Sequence, residues 1–252
     1  MKSISLILSV AACCNLSVAK AQSYSLWPKR PPEIEQARRM VRSKELDKAV
    51  EVLRPFVTQP GVVGREARKI TAAVQVPVYL SRKNPYASVY TVRAGDTLHR
   101  IVNTTYCPVE VIMMLNGIVE PSALKAGQKL VVTKMDLRAE VYPKMRELCV
   151  WDGDELVASY DVESLSIPAT TQNVKTKVEA REGIVDGDTL ARRSTRYLAS
   201  QRLLKLADGS SIGAADNTRM PTIVLSAADV NELSLLLSIG AEVLIVNEAH
   251  EQ

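Results

Sequence analysis

Residues 90–133, YTVRAGDTLHRIVNTTYCPVEVIMMLNGIVEPSALKAGQKLVVT, constrain this chain more than any other stretch. Val89, Tyr90, Thr91 and Val92 are β-branched or aromatic and predict a short strand. Gly95-Asp96-Thr97 interrupts it: glycine makes the turn, and Asp96 or Thr97 can cap a helix behind it. Leu98, Ile101 and Val102 stand at helical spacing and predict a helix over 98–105. Pro108 opens a second helix, whose buried side is Val109, Ile112, Met113 and Leu115 or Ile118, and Asn116-Gly117 stops it. A turn at 125–128 and the apolar run Lys129–Val132 complete the order strand, helix, helix, strand.

The opening YTVRAGDTL, the central LNG and the closing LKAGQKLVV resemble the LysM family in order and spacing across the whole module. The resemblance implies binding of glycans containing N-acetylglucosamine, peptidoglycan above all. It implies a groove between the loop after the first strand and the loop after the second helix. In this sequence those loops are Gly95, Asp96, Thr97 and Leu98, and Asn116, Gly117, Ile118 and Val119. Backbone N–H and C=O groups of such loops can hydrogen-bond acetamido groups over a small apolar floor. Asp96, Thr97 and Asn116 are equally the residue types that cap helices, so their side chains have a purely structural alternative. One module alone binds weakly, and the sequence holds one copy.

The N-terminus reads as a targeting segment. Lys2 is basic, Ile4 to Leu16 is mainly apolar, and Ala19-Lys20-Ala21 is a cleavage signature, placing the cut between Ala21 and Gln22. Val10-Ala11-Ala12-Cys13 also fits a lipoprotein box, with Cys13 as the alternative lipidation site. Either route predicts export to the periplasm or cell envelope. No later stretch reaches the ~18 apolar residues of a transmembrane helix. One Phe and two Trp exclude a broad stacking platform. A formal net charge of +4 is too mild for a nucleic-acid-binding stripe. No Cys or His pair has metal spacing, and the chain calls for no cofactor. Cys107 and Cys149 remain after the targeting segment, and sequence leaves open whether they pair.

Helices are predicted over 33–41, around Leu46, Ala49, Val50 and Leu53, and over 65–74. RSKELDKAVEVLRPFV resembles half of a tetratricopeptide repeat, which must pack on something to cover its apolar face. Docking on the next domain is the expected role, with recruitment of a protein partner through residues 33–74 as the alternative.

Beyond the module the chain reads as strands: 139–142, 147–151 and 156–162 in a meander, then a helix from Ser226, a stop at Gly240 and a last strand over 242–246. ELCVWDGDELVASYDV and TIVLSAADVNELSLLLSIGAEVLIV resemble the beginning and end of the L,D-transpeptidase domain. That family implies a nucleophilic Cys and activating His just ahead of the ending. Carried over, Thr222 stands at the nucleophile, Met220 at the motif His and Val224 at the Arg, while the upstream His element falls near Ile212 to Asp216, which holds no His. The only histidines are His99 and His250. The Cys/His motif is therefore absent, and no catalytic residue is expected. Asp186-Gly187-Asp188 reads as a solvated turn rather than a calcium loop, and Arg192, Arg193, Arg196 and Arg202 as an exposed basic patch, with contact to acidic stem peptides or wall polymers as the alternative.

The expected architecture is α+β and multidomain. It comprises a signal peptide at 1–21, a linker at 22–32, a helical segment at 33–76, a linker at 77–88, the LysM module at 89–134, a degenerate L,D-transpeptidase-like domain at 137–247 and a tail at 248–252. The expected function is that of an exported peptidoglycan-binding cell-wall protein whose transpeptidase-like domain is inactive. The alternatives are an active L,D-transpeptidase or other wall-modifying enzyme with a non-standard site, and a wall-anchored assembly factor.

Overall fold

The computed structural model describes residues 30–120, 124–167, 173–185, 188–190, 200–215 and 221–246. The targeting segment with Cys13, Ala21 and Gln22, together with Asp186, Gly187, Arg192, Arg193, Arg196, Asp216, Met220 and His250, lies outside the described residues.

Three helices come first: α1 (Pro32–Arg42), α2 (Leu46–Leu53) and α3 (Gly61–Tyr79). Helix α3 runs past Val74 and through Pro77 into what the sequence reads as linker. Pro77 removes one hydrogen bond, normally made to the carbonyl four residues back. Both Ala73 and Pro77 are exposed, so the break lies on the outer side of the helix, while Val76 and Tyr79 anchor the last turn in the main core. Gly64 has no room for a side chain, because a Cβ there would collide with the Gln59 carbonyl of the incoming turn.

The module follows as β1 (Ala87–Thr91), α4 (Leu98–Thr105), α5 (Val109–Asn116) and β2 (Lys129–Thr133), with β1 and β2 paired antiparallel. Val92, Leu98, Ile101, Val102, Val111, Ile112, Leu115, Leu130 and Val132 form its own small core. The rest is β3 (Arg138–Tyr142), β4 (Glu147–Asp152), β5 (Glu155–Asp161), β6 (Ser164–Leu165), β7 (Val174–Val185), β8 (Asp188–Leu190), β9 (Gln201–Leu206), β10 (Ser211–Ala214), β11 (Ile223–Leu225), α6 (Ala227–Leu236) and β12 (Glu242–Ile245). The class is α+β, as expected.

Among the described residues the strand order is β5-β4-β3-β12-β7-β9-β10-β11-β6, with β8 on the far end of β7. β7 joins two halves. Its first residues, Val174 to Lys177, pair with β12, and from Val178 onward it pairs with β9 across a register shift. Leu148, Val150 and Val157 from one half meet Leu204, Leu206, Ile212, Ile223 and Leu225 from the other, with Val230, Leu233 and Leu236 of α6 closing the core.

The N-terminal helices do dock, but beyond the module that follows them. Ile34, Ala37, Ala49, Leu53 and Ala67 pack on Cys149, Trp151 and Leu156 of β4 and β5. Strand β4 is thus covered on both faces, which explains its unbroken apolar run Leu148–Trp151. At the centre of this contact Arg68 Nε and Nη2 donate to Glu147 Oε1 and Oε2 at 3.0 and 2.7 Å. Ser159 Oγ donates to the same carboxylate at 2.6 Å, and Arg68 Nη1 donates to the Val57 and Gln59 carbonyls at 2.9 and 3.0 Å. Burial opposes the Arg68 charge, but the Glu147 hydrogen bonds and attraction outweigh it and raise its pKa.

Both partners are nearly inaccessible, at 3% and 0% side-chain exposure, so removing one strands the other. Arg68→Met is expected to lower stability by about 3–5 kcal/mol, and the double variant with Glu147→Leu to recover most of it. Urea unfolding checks both. A loss under about 1 kcal/mol for the single variant contradicts the pair's central role.

Candidate glycan-binding site

The turn after β1 is built by Asp96 and Gly95. Asp96 Oδ2 accepts from the Arg93 N–H and from Tyr90 Oη, both at 2.8 Å, and Gly95 takes φ +80°, which suits glycine. Of the two expected caps, Thr97 is the one used: its hydroxyl accepts from the Arg100 N–H at 3.2 Å. Leu98 is buried in the module core at 4% exposure, so its side chain is withdrawn from the surface.

At the second loop Gly117 caps α5 at φ +62°. Asn116 does more than stop the helix. Its Nδ2 donates to the Ile112 and Val131 carbonyls at 2.7 and 2.8 Å, and its Oδ1 accepts from the Val131 N–H at 2.7 Å. The side chain therefore stitches α5 to β2, a role its position in sequence does not reveal. Ile118 packs against the same core as Leu98, which seats both loops over one cluster. Val119 is 88% exposed. Asp96, Thr97 and Asn116 thus spend their side chains on the fold, the N–H groups of Asp96, Gly117 and Ile118 are used within the turns by the Arg93 and Met113 carbonyls, and Val119 is the exposed side chain of the two loops.

The positions that the transpeptidase resemblance singles out are structural where they are described. The Ser211 N–H donates to Thr222 Oγ1 at 3.2 Å, the Thr222 N–H lies 3.4 Å from Ser211 Oγ, and the Ser166 N–H donates to the Thr222 carbonyl at 2.8 Å. Val224 is a buried residue of β11, and Ile212 to Ala214 are buried in β10. His99 is far off in sequence and fold, on α4, where Asn103 lies 3.3 Å from its Nε2. Among the described residues, no His or Cys side chain hydrogen-bonds Thr222. Without such a base its hydroxyl has no activating partner.

Cys107 and Cys149 are free thiols, buried in different cores. Burial raises the pKa of both, which keeps them as inert thiols. Of the arginines read as an exposed patch, Arg202 is instead 7% exposed on β9. Its neighbour in space, Arg181 on β7, was not singled out by sequence at all. No helix of the described residues is long and apolar enough to cross a membrane, and no group of three or more His, Cys, Asp or Glu there could hold a metal ion.

Two measurements follow. The Arg93 N–H and then Tyr90 Oη hold the Asp96 carboxylate, so its pKa is lowered below the ordinary 3.8. Its contribution to stability is complete above the ordinary value and is lost as pH falls through the lower folded one. Carboxyl-carbon NMR is expected to give a midpoint below 3.8 that rises in Tyr90→Phe. A disulfide-exchange thiol reagent at pH 8 is expected to leave Cys107 and Cys149 unlabelled until the protein is unfolded; rapid native labelling contradicts their burial.

Comparison with known proteins agrees with the module's geometry. Residues 90–133 match the LysM domain family. Over 43 residues the chain is 54% identical to the uncharacterized lipoprotein YgeR of Escherichia coli strain K12, a match that spans only 17% of either chain. Solved structures of L,D-transpeptidases are similar at a low level. L,D-transpeptidase 1 of Mycobacterium tuberculosis is 14% identical with a TM-score of 0.34, covering 48% of this chain and 68% of that one. An L,D-transpeptidase from Mycobacterium smegmatis is 14% identical with a TM-score of 0.33, covering 48% and 64%. One from Xylanimonas cellulosilytica is 13% identical with a TM-score of 0.30, covering 87% and 97%. Scores of this size carry no weight for function, and the strand order above describes the C-terminal domain on its own terms. Residues 90–133 of this chain are a LysM domain.

Proposed function

We propose that this is an exported peptidoglycan-binding protein of the cell envelope, in which the C-terminal domain is a non-catalytic companion to the LysM domain. The observation that carries this reading is the LysM domain itself, with the loops of residues 95–98 and 116–119 seated over one apolar cluster. Export is supported by the apolar leader ahead of Ala21 and by a relative described as a lipoprotein. Absence of catalysis is supported by the hydrogen bonds of Thr222, which run to Ser211 and Ser166 rather than to a base. The first helices spend their apolar faces on β4 and β5, which favours a structural role for residues 33–74 over recruitment of a partner.

Recognition in this reading is by backbone. Two turns shaped by Gly95 and Gly117 would present the main-chain groups not already used within them, beside side chains that are committed to the fold. Replacing Asp96, Thr97 or Asn116 would loosen the module along with the groove, so an exposed position is the cleaner probe. The full chain is expected to sediment with purified peptidoglycan sacculi, and Val119→Arg to cut retention severalfold without changing the thermal midpoint. Muropeptide profiles are expected to be unchanged by the protein. Wild-type protein that stays in the supernatant overturns the binding reading, and turnover abolished by Thr222→Ala overturns the non-catalytic one.

A further inference from the structure

Sheet edges carry unpaired main-chain donors and acceptors, and a chain that stays single ordinarily shortens, charges or covers them. Among the described residues most edges of this protein are treated in that way. β6 is two residues long and β8 three. β5 closes the other end of the large sheet, and Leu156–Tyr160 within it are buried. In the LysM domain the outer edge of β2 is occupied at its centre, where the Asn116 amide takes both the N–H and the carbonyl of Val131. β1 is the exception. It pairs on one side only, with β2, and Ala87, Ser88, Val89 and Thr91 are exposed. Its sequence, Ala-Ser-Val-Tyr-Thr, holds no charge, proline or glycine.

The ladder fixes which way the β1 main chain faces. Successive residues of an antiparallel pair point their N–H and C=O groups alternately toward and away from the partner strand. The Val92 N–H donates to the Gln128 carbonyl at 2.9 Å and the Gly127 N–H to the Val92 carbonyl at 2.8 Å, so Val92 faces inward. Val131, directly opposite Val89, gives both its groups to Asn116 and faces away from β1. Both observations set the same alternation: Ser88 and Tyr90 turn to β2, while Ala87, Val89 and Thr91 turn outward. The Ala87 N–H is taken by the Asn84 carbonyl at 2.9 Å. Among the described residues the Ala87 and Thr91 carbonyls, the Thr91 N–H and both groups of Val89 then remain open on that edge.

This edge is complementary to itself. When it is laid antiparallel on a second copy about a twofold axis at Val89, each Val89 N–H meets the Val89 carbonyl of the other copy. Each Thr91 N–H meets the other copy's Ala87 carbonyl, and the one donor already spent, the Ala87 N–H, falls at the end of the ladder. The two Val89 side chains, 65% exposed in the single chain, cover one another across the axis. No like charges are set opposite one another within the strand. We infer that β1 is the contact through which two copies of this chain associate, joining their two-stranded sheets into one sheet of order β2-β1-β1-β2. The contact is short. Two five-residue strands cover less than the ~1,200 Å² of a standard interface, so a Kd of about 100 µM is expected and dilute protein is monomeric. One consequence rests on the proposed peptidoglycan-binding function: the dimer supplies a second LysM domain, and two weak sites on a polymer bind with avidity.

Sedimentation equilibrium of the full chain is expected to show a monomer–dimer equilibrium. Val89→Pro is the selective variant: the Val89 N–H makes no bond to β2, so proline removes only an outward donor, as edge strands tolerate. It is expected to stay monomeric up to about 1 mM with a thermal midpoint close to that of the wild type. Val89→Lys keeps the backbone and sets like charges across the axis; it is expected to raise Kd severalfold, which keeps the test decisive should the proline variant fold poorly. Amide exchange followed by NMR is expected to slow at Val89 and Thr91 as concentration rises through Kd. On sacculi both variants are expected to lose about tenfold in retention, with chitotetraose affinity within about twofold of the wild type. A wild-type monomer up to about 1 mM, a dimer undiminished in both variants, or a dimer that leaves those amides unprotected overturns the inference without touching the glycan reading. Dimers formed through β1 by a protein that ignores both sacculi and chitotetraose uphold the inference and overturn the glycan reading.

Discussion

A buried ion pair governs how this chain is put together. Arg68 and Glu147 are brought together from α3 and β4, segments that lie on either side of the LysM domain in sequence. The pair is fully furnished: Glu147 accepts from Arg68 and Ser159, and the remaining Arg68 donor reaches two main-chain carbonyls. Such a pair does not supply much net stability over a hydrophobic replacement, but any seating of the helices that separated its members would leave each charge buried and uncompensated. Once that seating is set, Cys149 and Trp151 are covered by α1–α3 and β4 becomes an interior strand. Tyr79 and Tyr86 then both donate to Asp152 at 2.5 Å, fastening the chain that leads into the module to the end of the same strand. That contact, and to a lesser extent burial, moves the Tyr86 hydroxyl up to about 12.

The LysM domain is consequently held by structure on both sides rather than tethered by a free linker. Arg82 Nε donates to the Leu115 carbonyl at 2.9 Å, and Leu235 of α6 packs against the module core. The domain keeps its own apolar cluster, but its α5 meets the sheet through Glu110. A LysM domain fixed in this way presents its two loops in one constant geometry.

Much of this was legible locally. Leu46, Ala49, Val50 and Leu53 mark α2 by spacing alone, and the structure gives Leu46–Leu53. The strands flanking Asp152-Gly153 were readable because β-branched and aromatic residues alternate with a turn sequence between them. Ser226 announces α6 as an N-cap, and its hydroxyl accepts from the Asp229 N–H at 3.1 Å. In contrast, β7 was not readable. Val174–Val185 carries Lys, Glu or Arg at five of its twelve positions, and apart from the short β8 its cross-strand partners stand far away at 201–206 and 242–245. Local pattern cannot report a strand whose charges are satisfied by partners that only folding supplies. Arg202 looked solvated for the same reason, and its burial depends on Glu110 arriving from another domain.

The amino-acid order alone determined the LysM domain, because its turns need Gly95 and Gly117 and its helices need apolar residues at fixed spacing within one short stretch. It also determined that Thr222 stands without an adjacent Cys or His in the chain. Tertiary structure decided the rest: that Asn116 serves β2, that the first helices cover β4, and that Arg181 and Arg202 converge on one carboxylate. Those outcomes depend on pairing groups distant in sequence, and the energy of burying a charge or an amide is defined only once its partner and its distance are known.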